Sequence, residues 1–146
     1  MSRLVGALVA LVLVWGAAGC TTSRPSPEDW RTSARESLEE AASTLATVRL
    51  TVRAQEDARV WRAYAETVLA DAEQAVSTAA DSVATLQRPR EVEAAEAAEV
   101  LDLLEQAEDL VRTVRQRVLA RSRIPDSVFE RLDATTTSLT TRAERL

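Results

Sequence analysis

Glycine is confined to the first part of this 146-residue chain, whose three glycines are Gly6, Gly16 and Gly19. Residues 20–146 also lack asparagine, and these two residue types supply the positive φ angles of tight β-hairpin turns most easily. An antiparallel sheet would need several such turns. Alanine, arginine, glutamate and leucine are abundant instead, and they are the strongest helix formers. The composition therefore predicts an all-α domain, which we place at residues 27–146.

The first 20 residues have the organisation of an export signal. Arg3 gives a positively charged start, residues 4–19 carry no charge, and Cys20, the only cysteine, follows three small residues. The uncharged run is shorter than the roughly 17–25 apolar residues of a transmembrane helix. This segment resembles the signal peptide of bacterial lipoproteins, which ends in a small residue followed by a cysteine.

The resemblance implies a cellular location for the protein. Residues 1–19 would be removed as a signal peptide, and Cys20 would become a lipidated N-terminus on the extracytoplasmic side of the cell membrane. Residues 20–26 would then comprise the lipidated cysteine and a polar tether that reaches at most about 20 Å when extended. Ordinary secretory cleavage, which would leave a free thiol, and an uncleaved anchor are the alternatives.

Proline and capping residues divide the rest of the chain into helices. Ser26 and Pro27 favour a helix start, while Pro89 and Pro125 interrupt the helical pattern, because proline lacks an amide donor and disfavours helix at the preceding residue. The predicted helices cover residues 27–54, 57–87, 91–121 and 126–145. Their short connections imply antiparallel neighbours.

Apolar residues recur at helical spacing in each of these segments, and each stripe is predicted to face the core. The stripe of the first helix comprises Ala34, Leu38, Ala41, Leu45, Val48 and Val52. The stripe of the second comprises Trp61, Ala65, Val68, Ala72, Ala75, Ala79 and Leu86. The stripe of the third comprises Ala97, Val100, Leu101, Leu104, Ala107, Val111, Val114 and Val118. The stripe of the fourth comprises Val128, Leu132, Thr135, Leu139 and Ala143.

These elements predict an antiparallel up-down helical bundle of three long helices and a shorter fourth. The bundle buries each stripe against two neighbours, which is favourable by about 25 cal/mol per Å² of apolar surface. The alternative is an extended helical hairpin, with residues 27–87 as one arm and residues 90–146 as the other. Residues 53–58 form a turn in the bundle and a helix kink in the hairpin.

Several classes of chemistry are excluded by missing residue types. The chain has no histidine for a Ser-His-Asp triad or a zinc site, and no lysine for a Schiff base or a P-loop. A lone cysteine offers no metal cluster. Eighteen basic residues against 23 acidic ones give a net charge of −5, unlike the basic surfaces that bind nucleic acid. We expect no enzyme activity, cofactor, metal or nucleic-acid partner.

The third helix carries two charged runs that we interpret as structural. Its acidic residues recur every third position and spiral around the helix, so they cannot converge on one cation. They are Glu93, Glu96, Glu99, Asp102, Glu105 and Glu108. Its arginines offset the negative helix end, and we predict that Arg112 pairs with Glu108 and that the run faces Glu56 and Asp57. They are Arg112, Arg115, Arg117, Arg121 and Arg123. The alternative is that the arginines form a patch that docks an anionic polymer or an acidic partner.

Two pairs of residues are candidate sites. Trp61 and Tyr64, one turn apart, are the best candidates for a ligand pocket, although aromatic rings in an alanine-rich bundle are expected mainly in its core. Arg88 and Arg90 lie in the turn that an up-down topology brings to the tethered end. Anionic headgroups would attract them there, or Arg88 simply favours the C-terminal end of its helix.

The favoured function is that of a non-catalytic, membrane-anchored lipoprotein. Its helical module would bind or space components of the cell envelope, with an envelope protein or polymer as the partner. The alternative is a lipoprotein that binds a small ligand in a pocket between its helices.

Overall fold

The computed structural model describes residues 26–146, and these form four α-helices without a strand. The helices are α1 (Pro27–Glu56), α2 (Arg62–Thr85), α3 (Ala94–Leu119) and α4 (Asp126–Ala143). They contain 30, 24, 26 and 18 residues, which confirms three long helices and a shorter fourth. The segment that resembles a signal peptide, Cys20 and most of the tether lie outside the described residues.

The helices form an antiparallel up-down bundle. Helix α1 packs along both α2 and α4, α3 packs along the same two helices, and α1 also meets α3 across the centre. Extensive packing between α1 and α2 requires a reversal of the chain between them, at residues 57–61. The extended hairpin would instead place α1 and α2 end to end, so that alternative is wrong, and residues 53–58 lead into a turn.

The start of α1 is fixed by a capping box, as Ser26 and Pro27 predicted. The Ser26 hydroxyl accepts a hydrogen bond from the Asp29 amide, and the Asp29 carboxylate accepts one from the Ser26 amide, both at 3.1 Å. The amide donors of Ser26 and Asp29 at this helix end are therefore satisfied by side chains, and Pro27 has no amide donor to satisfy.

Helix α1 ends in a left-handed residue that is not glycine. Ala58 has a φ of 56°. The Arg59 amide bonds to the Ala54 carbonyl at 2.8 Å, and the Ala58 amide bonds to the Gln55 carbonyl at 3.1 Å. This is the hydrogen-bond pattern of a Schellman motif, whose left-handed position is usually glycine.

Helix α3 ends in the same way. Arg121 has a φ of 54°. The Ser122 amide bonds to the Arg117 carbonyl at 2.9 Å, and the Arg121 amide bonds to the Val118 carbonyl at 3.1 Å. The chain thus turns twice at the same end of the bundle with alanine and arginine where glycine is favoured.

The core runs along the whole bundle and confirms most of the predicted stripes. Every stripe residue of α1 is buried, as are Leu104 and Val111 in the centre of α3. In α4 only Thr135 of the predicted stripe is half-buried rather than buried. Many core positions are alanine, which allows the helices to approach closely.

The predicted stripe of α2 was wrong at Trp61 and one residue away from the buried face at Val68 and Ala75, whereas Leu86 packs against the core as predicted. Trp61 is 86% exposed, and Val68, Ala75 and Leu86 are only half-buried. The buried residues of α2 are Ala65, Leu69, Ala72, Val76, Ala79 and Val83. The predicted stripe takes Trp61 as its first core position, but Trp61 precedes the helix, which begins at Arg62. The spacing from Trp61 therefore places Val68 and Ala75 in the core, whereas Leu69 and Val76 are the buried residues.

Ion pairs connect the helices around the core. Arg31 of α1 donates two hydrogen bonds to Glu96 of α3, at 2.9 and 3.1 Å. Arg115 of α3 donates one to Glu73 of α2 at 2.6 Å. The Nε atom of Arg142 lies 2.9 Å from Glu99, an ion pair without hydrogen-bond alignment. Some members of the charged runs of α3, such as Glu96, Glu99 and Arg115, therefore pair with neighbouring helices.

Candidate functional sites at the two ends of the bundle

The topology divides the loops between two ends. The proximal end contains the start of α1, residues 86–93 between α2 and α3, and the last residues of the chain. The distal end contains residues 57–61 and 120–125. At 1.5 Å per residue, the 30 residues of α1 separate these ends by about 45 Å.

Arg88 and Arg90 lie at the proximal end, where the up-down topology predicted them. Both side chains are exposed, and Arg88 donates a hydrogen bond to the Val92 carbonyl. Val92 itself is fully buried and closes this end of the core. Arg88 therefore has a structural role in the turn, and contact with headgroups stays a prediction.

The aromatic residues divide between core and surface. Trp30 and Phe129 are 1% and 3% exposed, as expected for large core residues, and the Arg53 guanidinium lies 3.9 Å from the Phe129 ring centroid, a cation–π contact. Trp61 and Tyr64 are 86% and 58% exposed. Their predicted place in the core is wrong, because both precede the first buried residue of α2.

Trp61 and Tyr64 also line none of the larger hollows among the described residues. An interhelical pocket would need rings that converge on a shared space, whereas these two side chains project from the first turn of α2 into solvent. The structure does not bring them together as a pocket, and it makes them part of the distal surface instead.

A hollow of about 450 Å³ opens at the distal end, between the first turn of α2 and the connection from α3 to α4. Three arginines line it, Arg62, Arg121 and Arg123, with Glu56 as its single carboxylate. Within residues 26–146 these three guanidinium groups make no hydrogen bond or ion pair. The hollow is therefore open and positively charged.

The sequence predicted parts of this arrangement. Glu56 does lie with Arg121 and Arg123, but Asp57 pairs with Arg59 at 2.7 Å instead. The predicted partner of Arg112 was also wrong. Arg112 hydrogen-bonds to Asp109 at 2.6 Å and approaches Glu73 of α2 at 3.7 Å, because Glu73 draws the side chain toward the neighbouring helix.

The acidic run of α3 supplies ion-pair partners. Glu96 accepts from Arg31, and Glu99 lies beside Arg142. The hydrogen bonds from Arg31 hold the pKa of Glu96 below its ordinary value, against the opposing effect of burial. No group of three or more potential metal ligands occurs among the described residues.

A second open hollow, of about 640 Å³, follows the groove between α3 and α4. Thr137 and Ser138 line it, but their hydroxyls donate to carbonyls one turn back in α4, at 2.9 and 3.0 Å. These two hydroxyl protons are already used, whereas Gln106 and Arg145, which line the same groove, make no side-chain hydrogen bond or ion pair among the described residues.

A scan of known protein families, a search of curated proteins and a search of solved structures found no match to the chain. Within residues 26–146, no helix combines the length and the hydropathy needed to cross a lipid bilayer.

Proposed function

We propose that this protein is a lipid-anchored, non-catalytic helical module of the cell envelope, which presents its distal end to a partner about 45 Å from the anchor. The observation that carries the proposal is the polarity of the bundle. The tether joins the start of α1 at the proximal end, whereas the exposed aromatic residues and the hollow lined by arginines lie at the distal end.

The side chains of the described surface support a binding rather than a catalytic role. Two half-buried carboxylates between the helices, those of Glu73 and Glu96, are held by arginines. Four hydroxyls of α4, those of Thr136, Thr137, Ser138 and Thr140, donate to the backbone of their own helix. A general acid–base pair or a nucleophile with its base would need free groups within hydrogen-bond distance of each other.

The alternative, a lipoprotein that binds a small ligand between its helices, has less support. Small-ligand sites are usually concave and mostly apolar, with a few placed polar groups. The described hollows are open, and Trp61 and Tyr64, the rings proposed to close such a pocket, point into solvent.

Anchoring is tested at Cys20. The intact mass of protein extracted from bacterial membranes should correspond to a chain that begins at Cys20 and carries acyl groups. Cys20→Ala should release the protein from the membrane fraction or block its processing. Export of the wild-type protein in soluble form, with an unmodified thiol, would contradict the proposal.

A further inference from the structure

Exposed apolar side chains are concentrated at the distal end. Four large hydrophobic residues are exposed in the described part of the chain. Trp61 is the N-cap of α2 and Tyr64 lies in its first turn, and Leu119, 51% exposed, is the last residue of α3. Leu50, the fourth, lies near the end of α1 that approaches the same turn. Side chains of this size gain free energy when a partner covers them.

Positive charge is concentrated beside them. Arg62, which follows Trp61 directly, lines the distal hollow together with Arg121 and Arg123, against the one carboxylate of Glu56. The first turn of α2 contains no acidic residue and its N-cap makes no side-chain hydrogen bond, so the helix dipole adds to the same charge. The whole chain has a net charge of −5, and the distal hollow has the opposite sign.

We propose that the distal end is a docking surface for an acidic protein segment. Carboxylates of the segment would enter the hollow and bind the three guanidinium groups, whose planar donors suit carboxylates. An apolar side chain of the segment would cover Trp61 and Tyr64. This inference deepens the proposed function, because it assigns a surface and a partner class to the binding module.

The mixture of groups favours a protein over an anionic polymer. Tryptophan, tyrosine and arginine are the residues most enriched among energetically dominant positions of protein interfaces. A polyanion would satisfy the arginines but would leave Trp61, Tyr64 and Leu119 uncovered. A segment with both carboxylates and an apolar side chain matches the hollow lined by arginines as well as the exposed side chains of Trp61 and Tyr64.

The test uses the full chain in non-ionic detergent and a fluorescently labelled peptide in which glutamates flank a central phenylalanine. Fluorescence anisotropy at low salt should show saturable binding. Replacement of the glutamates by glutamine should abolish binding. Dextran sulfate, an anion without apolar groups, should compete for the arginines, but its own binding should not weaken in Trp61→Ala.

Two glycine substitutions provide a matched pair. Arg121→Gly and Ala58→Gly place glycine at equivalent left-handed positions, so both variants should remain folded and gain stability. Arg121→Gly removes a charged donor from the hollow and should weaken peptide binding roughly tenfold, whereas Ala58→Gly should leave it unchanged. Trp61→Ala should also weaken binding, and Arg90→Gln at the proximal end should not.

Several results would overturn the assignment. These are the absence of saturable binding, equal binding of the glutamine peptide, or equal losses in both glycine variants. Tight binding of dextran sulfate with no binding of the peptide would assign the surface to an anionic polymer instead. The peptide-binding test can fail independently of the proposed function, because the acylation of Cys20 is measured by intact mass and does not depend on the distal arginines.

Discussion

Ala58 and Arg121 occupy the least favourable backbone conformations of the described chain, since both have a φ near 55° with a β-carbon present. The left-handed conformation costs a non-glycine residue roughly 1–2 kcal/mol. The sequence predicted turns near both positions, but nothing in an alanine or an arginine indicates positive φ. The hydrogen bonds of the two Schellman motifs and the packing of the helices select that conformation instead.

Ala58→Gly should therefore stabilise the protein by about 1 kcal/mol, because relief of the left-handed strain exceeds the extra entropy of glycine in the unfolded chain. Urea denaturation followed by circular dichroism measures the change. Ala54→Gly, inside α1, is the control and should destabilise the protein by a similar amount. A loss of stability in Ala58→Gly would show that Ala58 is not left-handed.

A second property at the scale of the residue is the pH dependence that arises from Glu96. Its pKa is lowered by the hydrogen bonds from Arg31, so the folded state holds the ionised form more strongly than the unfolded state does. The stabilisation is therefore present above the ordinary glutamate pKa of about 4.3 and is lost as the pH falls through the lower pKa of the folded state.

Glu96→Gln should accordingly weaken the decline in stability below about pH 4.3, as measured by thermal melts across the acid range. Glu105→Gln, on the same helix and without an ion pair among the described residues, removes one carboxylate and leaves the pair with Arg31 intact, so it is the control. The same acid dependence in wild type and Glu96→Gln would contradict the role of the ion pair with Arg31.

Helix α2 shows how far an element can be predicted from its sequence. The period of its apolar residues predicted a helix and an approximate core face, because helix formation and burial both follow from local residue types. The predicted position of the core face was wrong from Trp61 onward, because a large aromatic residue is normally expected in a core. Alanines occur on several faces of this segment and do not distinguish the buried face from the exposed one. Val68 and Ala75 were therefore predicted to be buried, although they are half-buried.

The role of Trp61 as an exposed N-cap gives a prediction for this element. Its backbone has the extended conformation of an N-cap, with φ −74° and ψ 147°, but its side chain makes no capping hydrogen bond. Trp61→Ser should supply that bond and stabilise the protein by about 0.5–1 kcal/mol. Trp30→Ser, at a buried position, should destabilise it by 3 kcal/mol or more. Equal destabilisation by both changes in urea titrations would show that Trp61 is buried in the core.

For the whole molecule, the bundle could be predicted, whereas the distal surface could be predicted only in part, through the approach of Arg121 and Arg123 to Glu56. Four amphipathic segments with short connections leave few topologies, and the antiparallel bundle buries the most apolar surface. The distal hollow depends on which side chains remain unpaired once the helices are packed. Arg112 and Arg121 belong to the same sequence run, but only Arg112 finds a carboxylate on a neighbouring helix.

The proposed function requires an orientation of the bundle in which the proximal end lies near the membrane and the distal end lies away from it. If Cys20 is acylated, a cysteine introduced elsewhere is the only free thiol of the chain. Full-length protein purified from membranes, with a fluorophore at either Arg90→Cys or Arg123→Cys, is reconstituted into vesicles that contain an acceptor dye in the headgroup layer.

Energy transfer from residue 90 to the bilayer dye should be strong, and transfer from residue 123 should be weak, because about 45 Å of helix separates the two ends. Equal transfer from both positions would show that the bundle lies along the membrane. Stronger transfer from residue 123 would place the distal surface against the bilayer, and either result would contradict the proposed presentation of that surface to a partner.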